Sequence, residues 1–266
     1  AESVLRVGLV MLAGEIPGDS LAIRDAAAAL ASSPQRDLIL ALLVAGFGTK
    51  AGLVPMHVWM PLAHAAAPVP ASSVLSGAVV KVGIIGLIRF LPLSNSLPDW
   101  GLVLTAVGFV TAFYGVAIGL TQRHPKAVLA YSSVSQMGVV AAVLGMGLAA
   151  RDATAGIAAA FYASHHVLVK GALFLSVGVI AYTGAARRAT VLIPAALLCL
   201  GLGGLPFTGG AIAKFAVKDQ LDVDVVGWFA AASAAGTTLL MLHFLGRLAR
   251  SGAEDSRATA SAGLSV

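Results

Sequence analysis

A chain of 266 residues that is 58% hydrophobic and only 11% charged, with a mean hydropathy of +0.92, excludes an ordinary soluble domain, since those carry about 25% charged residues. The net charge of +5 and isoelectric point near 9.7 then reflect the loop bias of a multi-pass membrane protein, which gathers Lys and Arg on one side, and not a nucleic-acid partner. The single cysteine, Cys199, lies in an apolar run and excludes both an internal disulfide framework and an iron–sulfur ligand set.

A membrane helix needs about 20 mostly apolar residues to span lipid while satisfying its own backbone. By that measure the sequence predicts an all-α, polytopic helix bundle over residues 1–250, with eight segments, and a polar tail over 251–266. The first segment, 3–13, is partial. The chain opens "AESVLRVGLVML" with neither an initiator Met nor a secretory pattern, and reads as the remainder of a longer N-terminal part. The second, 37–54, holds Lys50 and stops at "GLVPMHVWMP", where Pro55 removes a backbone donor. The third, 71–92, runs through Ser72, Ser73, Ser76 and Gly77 to Lys81, and the fourth covers 101–121. The fifth, 126–149, carries "YSSVSQMG" from Tyr131 to Gly138, and the sixth, 154–183, carries "FYASHHVLVKGALF". The seventh, 190–215, is interrupted by "GLGGLPFTGGAIAK" around Pro206 and contains Lys214. The eighth, 225–247, offers Thr237, Thr238 and His243, and the tail "SGAEDSRATASAGLSV" is expected to lack regular structure. Trp59, Trp100 and Trp228 fall at segment ends, where indole rings favour the water interface.

The loops sort by charge. Those near Asp19–Asp37, Asp99, Arg151–Asp152 and Lys218–Asp224 are acidic or mixed. The others collect Arg123, Lys126, Arg187, Arg188, Arg247, Arg250 and Arg257 against only Glu254 and Asp255. The Arg-rich side is therefore expected in the cytoplasm, with the chain in the inner cell membrane.

Four lysines, Lys50, Lys81, Lys170 and Lys214, sit within predicted spans, and no Asp or Glu lies deep in any of them. A charged Lys at a helix centre costs about 2.5–3.5 kcal/mol on insertion scales, so four of them need a reason. Snorkelling, in which a long stem carries the ammonium to an interface, explains Lys214 as well as an interior role does. Lys81 and Lys170 lie too deep for it, and Lys50 lies just before a helix break. Tyr162, His166 and Lys170 recur every four residues and share one helix face, with His165 about 100° away. Ser73, Gly77 and Lys81 line up in the same manner. The pattern reads as a hydrated polar axis, a proton pathway through Lys50, Lys81, His165, His166, Lys170, Lys214 and His243. For His243 a helix–helix hydrogen bond serves equally well. Lys titrates near 10.4 in water and is lowered by desolvation, and His starts near 6.5, so both can pass protons. Paired Pro/Gly breaks at Pro55 and Pro206 point to a transport site between two halves. There is no metal-ligand cluster, and "GLGGLPFTGG" lacks the Lys-Ser/Thr ending of a phosphate loop. No cofactor, metal, redox or hydrolytic chemistry is expected of this chain itself.

Four blocks then stand out: "FGTKAGLVPMHVWMPLAHAAAPVPASSVLSGAVVKVGIIGLIRF", "HPKAVLAYSSVSQMG", "SHHVLVKGALFLSVG" and "GLGGLPFTGGAIAKF". In this order they resemble the antiporter-like membrane subunits of respiratory complex I, Mrp-type cation/proton antiporters and membrane-bound nickel–iron hydrogenases. The wording is nearest hydrogenase-4 component B and its formate hydrogenlyase relatives. The resemblance implies two inverted five-helix repeats, each with one discontinuous helix. Segments two and seven would be those helices, four to eight a full second repeat, and the first repeat would be present only from its third helix on. By position, Lys50 matches the family's broken-helix lysine, Lys81 the lysine of the next helix, His166 and Lys170 its HxxxK pattern, and Lys214 the lysine after the second break. The resemblance also implies a proton-conducting subunit of a redox-driven complex, partnered by other membrane subunits, the bilayer and protons or sodium. A sodium/proton antiporter component and a non-conducting structural subunit remain alternatives. In the family a glutamate two helices before Lys50 pairs with it. That helix is expected to be missing from this chain, and Glu15, in a loop on the acidic side, is not expected to replace it.

Overall fold

The structure is a computed structural model that describes residues 2–17 and 22–262. Among the described residues there are helices and no strands. In chain order they are α1 (Glu2–Glu15), α2 (Ile23–Ser32), α3 (Arg36–Ala51), α4 (Trp59–Ala66), α5 (Val69–Val74), α6 (Val80–Phe90), α7 (Pro98–Thr121), α8 (Pro125–Ala150), α9 (Thr154–Ala181), α10 (Ala189–Gly203), α11 (Gly209–Ala216), α12 (Lys218–Leu221) and α13 (Asp224–Ala262). A 3-10 turn joins Pro55 to α4, and a π segment, Leu75–Val79, joins α5 to α6.

Six helical stretches among the described residues are long and apolar enough to cross a membrane: Arg36–Ala66, Val69–Phe90, Pro98–Thr121, Pro125–Ala150, Thr154–Ala181 and Asp224–Ser251. The first expected segment, α1, and the seventh, divided into α10 and α11, consist of shorter helices.

Helix α8 runs through the centre and is buried along most of its length. Small residues let α7 lie directly on it. A Cβ at Gly108 would stand 2.6 Å from the Gly138 carbonyl oxygen, so the two backbones touch where any side chain would part them. Pro98 and Pro125 open α7 and α8 at first-turn positions, where a missing N–H costs nothing.

The two charge classes of loop occupy opposite ends of the bundle. At one end Trp100 Nε1 donates to Asp37 Oδ1 at 3.0 Å, Arg151 Nε donates to the Ser94 carbonyl at 2.8 Å, and Gln220 Nε2 donates to Asp152 Oδ2 at 2.9 Å. At the other, Arg247 donates to the Arg123 carbonyl and Lys126 Nζ to the Ala67 carbonyl at 2.7 Å. Asp19 lies outside the described residues.

Four expectations need correction. The stretch before Asp37 is not all loop: "IRDAAAALAS" forms α2, as its run of alanines, the best helix formers, allows. The second segment does not end at residue 54 but resumes beyond its break to Ala66. Trp59 therefore sits at that break and not at an interface, and its indole donates to the Thr49 carbonyl at 2.6 Å. The last helix continues to Ala262, into the stretch expected to lack structure; "SGAEDSRATASA" contains no proline to stop it.

Candidate functional site: a polar line between two helix breaks

The first break follows from Gly52, whose φ of 80° is left-handed and ends α3. Leu53 N–H turns back to the Gly48 carbonyl at 2.9 Å, Val54 N–H donates to Thr111 Oγ1 at 3.0 Å, and Trp59 takes the Thr49 carbonyl. Protein groups thus satisfy the backbone that the break frees, which is the condition for such a break in a membrane. Lys50, in the last turn of α3, ion-pairs with Glu2 at 2.5 Å. Glu2 is 65% exposed and precedes the first expected segment, so the absence of a carboxylate within the spans is not in question; what was passed over is that Glu2 meets Lys50. Glu2 begins α1 and Glu15 ends it, so fourteen residues at 1.5 Å each set Glu2 about 20 Å from the acidic end. Glu15 is indeed not the partner; the one carboxylate that reaches Lys50 was overlooked because it stands at the start of the chain.

Beyond the break two histidines are buried. His57 lies edge-on to Tyr114 with ring centroids 4.6 Å apart. His64 stacks on Phe174 at 4.6 Å and finds no hydrogen-bond partner for either ring nitrogen among the described residues. Sequence reasoning passed over both. Their signal was a spacing of seven in "MHVWMPLAH", just past the expected end of the second segment.

The centre of the site is Lys81. Its Nζ lies 2.7 Å from the Ser76 carbonyl and 2.7 Å from His166 Nδ1. The π segment ends at Val79, so the chain turns wide immediately before this lysine. Such π insertions recur at functional sites. Lys170, one turn after His166 on α9, is wholly buried and donates to the Leu129 carbonyl of α8 at 2.9 Å. Ser76 and Ser133 share a hydroxyl contact at 3.1 Å beside them.

On the same face of α9, one turn before His166, stands Tyr162, which belongs to a separate hydrogen-bonded chain. Tyr162 donates to Gln136 Oε1 at 2.5 Å, and Gln136 Nε2 donates to Thr237 Oγ1 at 2.8 Å. A cavity of about 170 Å³ is lined by Tyr162, Thr237, Ser233 and Lys214 and reaches Lys218 and Asp222. At this break Gly204, with φ 98°, ends α10, and Thr208 accepts from Ala211 N–H to cap α11. A Cβ on Gly210 would collide with the Gly201 carbonyl, so only glycine lets α10 and α11 meet. Lys214 Nζ donates to the Gly203 carbonyl freed by the break.

The structure therefore gathers Lys81, His166 and Lys170 into one cluster. It places Lys50 at the first break, and Lys214 at the second. His165 stands beside the second break too, 3.1 Å from where a Cβ of Gly209 would lie. His243 is apart from all of them. Its Nε2 bonds the Gln122 carbonyl at 2.8 Å, next to Arg123 at the Arg-rich end, which is the helix–helix reading. No group of three or more His, Cys, Asp or Glu among the described residues could hold a metal.

A family profile described as NADH:quinone oxidoreductase/Mrp antiporter, TM, matches residues 1–240. Among curated relatives, an uncharacterized protein of Mycobacterium tuberculosis is 36% identical over 81% of the chain and 36% of its own length. Hydrogenase-4 component B of Escherichia coli K12 is 34% identical over 64% of the chain and 29% of its own length. The chain thus spans about a third of the length of these relatives. Among solved structures, the Mrp complex of Dietzia sp. DQ12-45-1b contains a chain with TM-score 0.76 and 24% identity, covering 91% of this chain and 47% of that one.

Proposed function

The chain belongs to the NADH:quinone oxidoreductase/Mrp antiporter transmembrane family, and we propose that it conducts protons as an antiporter-like membrane subunit of a redox-driven complex of the hydrogenase or complex I type. The observation that carries this reading is the contact between Lys81 and His166, two basic groups held 2.7 Å apart in the protein interior. A Lys–His pair without a carboxylate in contact is a poor structural device, because two cations cannot share that space (their repulsion at an effective dielectric of 20 is about 4 kcal/mol even at 4 Å). It is a serviceable proton-transfer device, since one proton fits between one donor and one acceptor. Lys170 and the Tyr162–Gln136–Thr237 chain extend the polar route toward Lys214, and Lys50 with Glu2 marks its other end.

Several buried polar atoms near these groups lack a protein partner. His64, His166 Nε2, Ser132, Ser135 and Ser233 are buried and without one among the described residues, and buried groups of this kind are ordinarily hydrated. Side chains and intervening water would together make the wire. The Arg-rich end, with Arg123 and Arg247, faces the cytoplasm in this reading, and neighbouring membrane subunits complete the assembly.

Proton uptake by vesicles holding the complete complex tests the proposal. Uptake driven by the redox partner, abolished by Lys170→Met or Lys81→Met with assembly intact, supports it. Uptake that requires sodium on the opposite side would replace it with sodium/proton exchange, and undiminished uptake in both variants would reduce the chain to a structural subunit.

A further inference from the structure

A second feature lies at the acidic end, away from the polar line. A groove of about 760 Å³ runs between α2, the last turns of α6, the loop after it and the start of α9, within the range of about 300–1,000 Å³ usual for ligand sites. Its lower wall is hydrocarbon. Ile85 and Ile157 are 56% and 75% exposed, and Ala160 is exposed below them. Its upper rim is polar and carries Arg89, with Ser94 and Asn95 beside it.

Arg89 sits in the penultimate position of α6, at the end whose loops are acidic or mixed. Of the other cations there, Arg36 is engaged by Asp37 and Lys218 by Asp222. No carboxylate of a described residue pairs with Arg89. Arg151 stands at the same rim, donating through Nε to the Ser94 carbonyl at 2.8 Å. The neighbouring carboxylate of Asp152 is engaged by Thr154 and Gln220 and answers neither arginine.

We propose that this groove binds one anionic phospholipid of the leaflet on the acidic-loop side, its phosphate at Arg89 and an acyl chain along Ile85, Ile157 and Ala160. One molecule then meets both demands of the site, an anion at the interface and hydrocarbon below it. Basic pockets between membrane helices recognise lipid head groups by this combination, and Arg binds phosphate through paired donors that Lys lacks. A protein helix laid in the groove would have to supply its own carboxylate at the height of Arg89. The site stands whether or not the polar line conducts.

Native mass spectrometry of the purified complex, incubated in mild detergent with phosphatidylglycerol or with phosphatidylcholine, is the test. Retention of phosphatidylglycerol well above phosphatidylcholine is expected. Arg89→Gln should erase that preference while Arg89→Lys keeps part of it. Ala160→Phe, which fills the hydrocarbon half without touching the charge, should lower retention of both lipids. Equal retention of the two lipids by the unaltered complex, or a preference unchanged in Arg89→Gln and Ala160→Phe alike, would overturn the proposal. So would a photo-reactive residue at Ile157 that attaches to another subunit and not to lipid.

Discussion

Lys81 Nζ stands 2.7 Å from His166 Nδ1, and the two are 6% and 0% exposed. The lysine nitrogen also donates to the Ser76 carbonyl, and as an ammonium it donates to Nδ1 as well. With Lys81 as an ammonium the imidazole is the neutral tautomer with its proton on Nε2, an atom that has no partner among the described residues. Passing a proton from lysine to histidine would reverse the donor and acceptor at this contact and charge the ring. Beside this contact Ser133 of α8 meets Ser76, and Lys170 of α9 donates to the Leu129 carbonyl of α8.

The Glu2–Lys50 pair makes a separate prediction. Glu2 is 65% exposed, so the pair itself is expected to add little stability. Its weight should fall on function, because the carboxylate is the partner that holds the charge of Lys50 within the span. Glu2→Gln should leave the melting temperature nearly unchanged and slow proton uptake by vesicles several-fold. Unaltered uptake would make the pair a bystander.

Tyr162 should behave in the opposite way. It is buried, and its hydroxyl is the donor to Gln136 Oε1, whose amide in turn reaches Thr237. Tyr162→Phe leaves that oxygen without its donor, at a cost of about 1–3 kcal/mol, and breaks the chain toward Lys214. Both a lower melting temperature and slower uptake are expected. If uptake is unimpaired, the chain is a structural clasp only.

Both helix breaks were legible in the sequence because proline and glycine act on the backbone wherever they stand: α3 and α10 stop at Gly52 and Gly204. Of the four lysines singled out, Lys81 and Lys170 are buried and Lys50 and Lys214 are half-buried at the breaks. What escaped was set by tertiary neighbours. The π segment Leu75–Val79 inserts into a helix without changing its apolar pattern. Glu2 was unreadable as the partner of Lys50 until α1 lay against α3, because a residue 48 positions away has no local signal for that contact. His57 and His64 belong to the resumed half of a broken span, and α4 looked like loop while the span was thought to end at residue 54. His243 shared a span with the polar residues Thr237 and Thr238 but not their surroundings, since its ring turns to the end of α7.

Asp152, in the turn between α8 and α9, gives a pH prediction. Hydrogen bonds from Thr154 and Gln220 hold its carboxyl below the usual carboxylate value. A depressed folded-state pKa means stability that is fully present above the unfolded value of about 3.9 and lost as pH falls through the lower folded value. Thermal melts of the protein in detergent should therefore show a steeper loss of stability on acidification past pH of about 4 than Asp152→Asn shows. Parallel curves would mean that the link between α12 and the α8–α9 turn contributes nothing through this charge.

The decisive variant is at Lys81. The residue stands near the middle of the span Val69–Phe90 and is 6% exposed, with its Nζ held by the Ser76 carbonyl and His166. Lys81→Met keeps the length of the stem and removes a buried charge whose insertion alone costs about 2.5–3.5 kcal/mol. Removing that charge offsets the loss of a donor to the Ser76 carbonyl and His166, so the complex should still assemble. His166 Nδ1 would lose its donor, and redox-driven proton uptake by vesicles should stop. Lys81→Arg tests the chemistry and not the charge: guanidinium holds its proton at every accessible pH, so it can occupy the position without releasing anything to His166. It should rescue poorly despite restoring the cation. Full uptake with either Lys81→Met or Lys81→Arg would show that no proton passes through this nitrogen. The contact with His166 would then be packing, and the conducting reading of the chain would fall with it.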